Sequence, residues 1–446
     1  MRGTSGEGAI IALNAIGPQD GHLDGETRTF SDQFTKPSRA SIGQRVVNLS
    51  SSAYIGNTVR IELRPKESGD LIGNMHLKCS LPALPVSNIY FNPYGYTDQI
   101  GRAIIKKVSL FADGQLIEEL TDDWYIIRDQ IFLDADERLS MNSCINGGAN
   151  LLSTSTTVSS VCNSQIDMMI PLDFFFCRRH SHFEKNKQRL DKPFLPMCAM
   201  WNQIVYVVIE FNEWSWFCNY PTKLDLIGQP QLIVEEVYLS DEERAYFKSK
   251  PHEFKVNKVK KEAVLSVADG SNNAFRVPLT AAFPVSLLLW AVKRKSYETN
   301  TRFYDARYSF GYTTDFITSS VNYTNFAGLR SQYIDILSSA QITLNNIDIL
   351  STFATGLYFS FKVPMDSGLT VPLKNIYMYS FGLTPKEYTQ GGYIDFSKLK
   401  SNITRLTINF NPAYAVELQS QYNMFVYYYG YTTLSIADGY ARIASL

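Results

Sequence analysis

The sequence predicts an all-β protein built as two comparable halves on either side of a short helix near residue 240. Three observations predict it. Charged residues make up only 19% of the 446 and aromatics 13%, with Tyr and Phe at 27 each. That balance suits β-sheet faces and large protein–protein contacts better than a helical bundle. Short apolar runs, alternating or continuous, recur between turn residues. One order of elements also occurs twice along the chain, as an internal duplication would leave it.

The dividing element is Val234 to Phe254. Val234, Val237 and Leu239 make a short β-type run, and Ser240 then stands where a helix N-cap belongs. Its hydroxyl can accept from a free N–H of the first turn, while Glu243 can reach back to the cap's own N–H. Asp241 and Glu242 put negative charge at the positive end of the helix dipole. Lys248 and Lys250 lie near the other end, and Pro251 stops the helix. A short capped helix is a stiff joint, unlike a Gly/Ser tether. The chain therefore reads as an N-terminal arm over 1–40, a first domain over 41–239, a connector over 240–251 and a second domain over 252–446.

The arm is Gly-, Asp- and Thr-rich and is expected to order mainly against neighbours. Strands begin near Ser41. Val59 to Leu63 alternates, Leu71 to Leu77 is another candidate, and Gly101 to Phe111 leads through Asp113-Gly114 to Gln115 to Leu120. Asp-Gly between apolar-rich runs signals a hairpin, because a type I′ turn needs positive φ at both positions. Trp124, Tyr125, Ile127 and Ile131 follow at helical spacing. Residues 140–167, mostly Ser, Asn, Thr and Gly, are expected to form a long surface loop that tolerates insertion near Gly148. Met168 to Arg178 is a nearly continuous apolar run, expected as a strand buried on both faces. Ile204 to Phe211 and Gln231 to Val234 are further strands.

After the connector the pattern restarts. Ala281 to Val292 reads as a buried strand, and Gln341 to Leu350 as strand, two-residue turn, strand. Tyr358 and Phe359 follow that hairpin much as Trp124 and Tyr125 follow the first. Ile376 to Leu383 answers the Ile170 to Phe176 stretch, and Ile403 to Phe410 answers Ile204 to Phe211. Tyr422, Tyr427, Tyr428, Tyr429 and Tyr431 read as an aromatic-rich core strand rather than a sugar-binding groove.

Several passages carry a family resemblance, in the family's own order. Ile16-Gly-Pro-Gln-Asp20 with Thr29-Phe30 resembles its opening, and Asp113-Gly-Gln115 with Asp123-Trp124 its hairpin passage. Ile170-Pro171-Leu172, Phe174 and Phe176 resemble its L-P-L-P-F-W-F-C-R run, with Asp173 in place of the second Pro. Ser240-Asp241, Glu243-Arg244 and His252-Glu253 resemble its connector. Tyr379-Ser-Phe381 through Asp395-Phe396 resembles its Y-S-F…N-F-S passage, with Asp395 in place of Asn. The chain thus resembles the double jelly-roll major capsid proteins of nucleocytoplasmic large DNA viruses over roughly residues 10–446. The resemblance implies two tandem eight-stranded jelly-roll sandwiches with short connecting helices, and a self-assembling capsid protein of an icosahedral virion.

Chemistry is sparse. With 42 basic and 43 acidic residues the net charge is −1, so no global field attracts nucleic acid or anionic lipid. No GxSxG, P-loop, GxGxxG or HExxH pattern occurs. Carboxylate pairs such as Asp122-Asp123 and Glu235-Glu236 diverge on regular elements. His180 and His182 follow Cys177, but no second Cys/His pair completes a zinc site. The six cysteines, Cys79, Cys144, Cys162, Cys177, Cys198 and Cys218, have no paired spacing and read as free thiols. The sequons at Asn48, Asn322 and Asn402 read as chance, since Met1 to Ala15 does not resemble a secretory signal. Lys255, Lys258, Lys260 and Lys261 read as a solvated strand face or an inter-subunit charge patch.

The expectation is therefore a non-enzymatic capsid protein with no catalytic, cofactor or metal site. It would form homotrimers that tile a shell, with minor capsid and penton proteins and host surface glycans as further partners and no direct nucleic acid contact. Jelly rolls also serve lectins and receptor-binding spikes, and a β-sandwich glycoside hydrolase is a third reading.

Overall fold

Val59, Ile61 and Leu63 are buried while Thr58, Arg60 and Glu62 face water, so the alternation of this stretch makes a half-buried strand. Residues of this kind pair into four antiparallel sheets. The structure, a computed structural model, describes residues 40–50, 54–85, 95–97, 99–146, 164–177, 194–262, 265–266, 274–294, 337–350, 352–372, 375–386, 391–410 and 422–443. From Ser41 onward the chain forms one compact unit.

Sheet I runs in the order β1 (Ser41–Asn48), β9 (Gln231–Tyr238), β3 (Leu71–Leu81), β6 (Ile166–Pro171), with β7 (Leu195–Pro196) also on β3. Sheet II is β2 (Thr58–Leu63), β8 (Val205–Phe211), β4 (Ile105–Ala112), β5 (Gln115–Thr121). In the second half, sheet III is β10 (His252–Lys261), β20 (Tyr422–Ala437), β13 (Pro284–Arg294), β17 (Ile376–Ser380). There β11 (Leu265–Ser266) and β21 (Tyr440–Ile443) pair with β20, and β18 (Ile394–Asp395) with β13. Sheet IV is β12 (Ala274–Pro278), β19 (Arg405–Phe410), β14 (Leu337–Leu344), β15 (Ile347–Asp348), with β16 (Ala354–Thr355) on β14. Numbering the eight principal strands of each half in chain order, both halves give 1-8-3-6 in one sheet and 2-7-4-5 in the other. Each half is a jelly roll, and the protein is a double jelly roll.

The second sandwich has its own core between sheets III and IV, including Leu288, Trp290, Val426, Tyr428, Ile342 and Leu406. The first core, around Ile61, Leu77, Leu110, Val207 and Val234, continues past its own sheets onto the opposite face of sheet III. There it takes in Leu287, Leu289, Phe425, Tyr427 and Tyr429. Sheet III is thus buried on both faces, which is why its strands read as unbroken apolar runs. β13 and β20 also approach closely. A Cβ on Gly430 would lie 1.9 Å from the Pro284 carbonyl oxygen, so only glycine fits beside the bulge between Val285 and Leu287.

Three expectations need correction. The strand expected from Gly101 starts at Ile105, because Ile100–Ala103 close a helical turn that buries Arg102. The surface loop expected over 140–167 begins as helix: α2 (Ala135–Ile145) follows α1 (Asp122–Ile131), and only residues 147–163 lie outside the described ones. Its N-cap Asp134 donates its backbone N–H to the Glu137 carboxylate at 3.2 Å, as in a capping box. The apolar run from Met168 is strand only as far as Pro171, and it alternates, with Met168 and Ile170 inward and Met169 outward. Asp173 then adopts φ 48°, and Phe174, Phe175 and Phe176 plug the core from a turn. Apolarity marked burial there, not extension.

Candidate functional site: the connector and the seam between the rolls

Ser240 caps α3 (Asp241–Ser249), its hydroxyl accepting from the Glu243 N–H at 3.4 Å. The helix is held sideways by Arg244, which donates to both oxygens of Asp70 at 2.7 and 3.0 Å and to Asp241 at 3.0 Å. Asp70, at the start of β3, also accepts from the Leu239 N–H at 2.8 Å. Burial would raise the Asp70 carboxyl, but these hydrogen bonds and the guanidinium charge hold it below its ordinary value. His252 bonds the Phe247 carbonyl at 2.9 Å and lies against the Phe247 and Phe254 rings, while Glu253 is exposed. The connector is therefore fastened at both ends.

The first hairpin turns at Asp113 (φ 46°) and Gly114 (φ 85°) and sends β5 directly into α1. This helix lies on the outer face of sheet III. Trp124 stacks on Tyr429 at 5.6 Å and meets Tyr427 at 6.0 Å, and Phe132 meets Tyr429 at 5.1 Å. Asp123, buried beside it, takes Lys261 at 2.8 Å and Lys293 at 3.4 Å. Desolvation raises this carboxyl, yet the two ammonium groups outweigh it and lower it to about 2. Backbone and amide bonds extend the seam. Thr370 N–H donates to the Ile131 carbonyl at 2.9 Å, and Ala441 N–H to the Gln203 side chain at 2.7 Å.

Sequence reasoning missed one buried ionic knot. The Arg102 guanidinium contacts Asp129 at 2.9 Å, Asp173 at 2.8 Å and the Pro171 carbonyl at 2.7 Å, and Arg128 also pairs with Asp173. The Arg102 guanidinium lies 4.4 Å over the Tyr125 ring, whose hydroxyl bonds the Leu172 carbonyl at 2.6 Å. Three separated segments meet here, so no local spacing announces it. Phe174 and Phe176 stack beside it at 5.8 Å. In the second roll Phe396 is buried against Phe381 at 5.7 Å and Tyr428 at 5.8 Å. The sequence-selected residues thus fall at the connector, at the seam, in the two cores and, for Asp113 and Gly114, at an exposed hairpin turn. They do not converge on one pocket.

Among the described residues no group of three or more His, Cys, Asp or Glu could hold a metal. His180, His182 and Cys162 lie outside the described residues. Among the described cysteines, Cys79, Cys177, Cys198 and Cys218 are buried and Cys144 is exposed, and none of them is paired with another of the five. Burial pushes Cys79 up to about 12 and Cys198 up to about 11, which leaves both poor nucleophiles. Lys261 of the basic cluster belongs to the seam, and Lys260 bonds Thr280 at 3.0 Å. What the arrangement does is hold two sandwiches rigidly side by side.

Comparisons agree with that geometry. Residues 243–441 match the family described as large eukaryotic DNA virus major capsid protein, and residues 33–235 match the major capsid protein N-terminus. The chain is 22% identical over 414 residues to the major capsid protein of Paramecium bursaria Chlorella virus 1, covering 90% of this chain and 87% of that one. It is 29% identical over 217 residues to the probable capsid protein 4 of Acanthamoeba polyphaga mimivirus, which spans 46% of this chain and 38% of that one. Among solved structures, the PBCV-1 virus capsid superimposes with a TM-score of 0.72 at 19% identity, covering 94% of this chain and 100% of that one. The Faustovirus major capsid protein gives 0.64 at 11% identity, covering 96% and 97%. With both halves matched and the double jelly roll in place, the chain belongs to the major capsid proteins of large eukaryotic DNA viruses, a structural, non-enzymatic family of the virion shell.

Proposed function

We propose that this capsid protein works as a homotrimer, three copies around a three-fold axis placing six jelly rolls in a nearly hexagonal ring. Residues 41–239 and 252–446 are the two ring positions and 240–251 the rigid connector; the expected arm lies outside the described residues except for Ala40. The carrying observation is the strand order 1-8-3-6 and 2-7-4-5 occurring twice in one chain. Two like wedges with a fixed seam form one third of a ring that closes after three copies. A ring of this outline tiles a shell from one gene product, with minor capsid and penton proteins where the tiling changes. Near-zero net charge gives the block no reason to bind nucleic acid directly.

Sedimentation or light scattering of the purified chain at micromolar concentration and neutral pH should give three times the 50.5 kDa chain mass. A stable, folded monomer across that range would contradict the trimer and favour a lectin or spike, which a glycan array would then reveal.

A further inference from the structure

Within one chain, the fifth strand and the helix after it pack on the next roll. β5 runs beside β10, and α1 lies on the outer face of sheet III through Trp124 and Phe132. The same pieces exist in the second roll: β15, then a π-helical turn Tyr358–Lys362 running into an α-helical turn Val363–Asp366. Their outward side chains are exposed among the described residues. Ile347, Leu357 and Met365 are 72, 61 and 68% exposed.

The sheet that answers to sheet III in the first roll is sheet I. Its outer face packs at the Leu71–Val237 end against Cys198, Phe194 and Phe247, and beyond that end it is open among the described residues. Ile42 and Val46 on β1 are 68 and 51% exposed, and Met169 on β6 is 39% exposed. The inner face of the same strands feeds the first core, so these residues do not belong to that sandwich. Sheet I is also less apolar than sheet III: His76 and Lys78 stand on the middle strand, where sheet III has Leu287, Leu289 and Ala291. An amphipathic face suits a surface that is wet in the free chain and covered on assembly.

We propose that the outer face of sheet I, centred on Ile42, Val46 and Met169, receives β15 and the helical turns from Leu357 to Asp366 of a second copy of this chain. Ile347, Leu357 and Met365 are the anchors, and the contact repeats between copies the one that joins the two rolls within a copy. This deepens the homotrimer reading and rests on it. The contact is heterologous, one face meeting a different one, which is what lets three copies close into a ring.

Two variants test it. One carries Ile42→Asp with Val46→Asp, the other Leu357→Asp with Met365→Asp, and each damages one face while leaving the other intact. Each alone should fall from three chain masses to one, with thermal unfolding like the wild type. Mixed in equal amounts they should form a species of two chains and stop there, because only one intact head and one intact tail remain. Variants that stay trimeric, or a mixture that stays monomeric, would overturn the pairing while leaving the trimer standing. Lowered stability of the Ile42/Val46 variant with trimers intact would mean that residues 1–39 of its own chain cover that face, which also overturns it. A monomeric wild type would instead overturn the homotrimer itself.

Discussion

At Asp123 one carboxylate from the first roll meets two lysines from the second, out of water. Asp123→Asn would leave Lys293 buried without its counter-charge, at a cost of about 3 kcal/mol at neutral pH. The folded carboxyl titrates at about 2 against an ordinary 3.8, so its contribution is complete above about pH 4 and is lost as pH falls toward 2. The gap in thermal midpoint between wild type and Asp123→Asn should therefore be full at pH 6 and shrink steadily below pH 4. A gap independent of pH would mean that the ion pair does not stabilise the seam. Asp123-Trp124 stood out in the sequence because an acidic–aromatic pair follows a hairpin at a family spacing. Arg102 did not, since its partners Asp129 and Asp173 come from other segments and only the fold brings them together.

Among the elements, the connector was the most legible and still held a surprise. Its cap, dipole charges and stop were written locally, so Ser240 and the helix bounds could be read directly. The Arg244 clamp on Asp70 spans 174 residues of sequence and could not be. The Ser240 cap bond is long at 3.4 Å, whereas the Asp70 pair is bidentate and half-buried. Ser240→Ala should accordingly cost about 0.5–1 kcal/mol, and Arg244→Ala more than that. Urea unfolding of the two variants checks the order, and equal losses would show that the clamp adds nothing to the cap. Strand ends were harder to read. Leu172 and Phe174 to Phe176 are as apolar as any strand, but Asp173 turns left-handed to place its carboxylate between two arginines. Tertiary ion pairing overrode the local pattern there.

For the whole molecule, the duplication was visible as a repeated order of elements, and the strand pairing bears it out in both halves. Less visible was the asymmetry between the two like sheets. Sheet III has both faces inside the chain, whereas sheet I leaves the Ile42, Val46 and Met169 side chains of one face outside it. A sequence shows which strands are apolar, but not which roll a given face meets. The measurement that tests the ring most directly is electron microscopy of the purified oligomer viewed down its axis. Class averages should show six lobes of two alternating kinds around a three-fold axis. Two or four lobes, or an open arc with free ends, would contradict it.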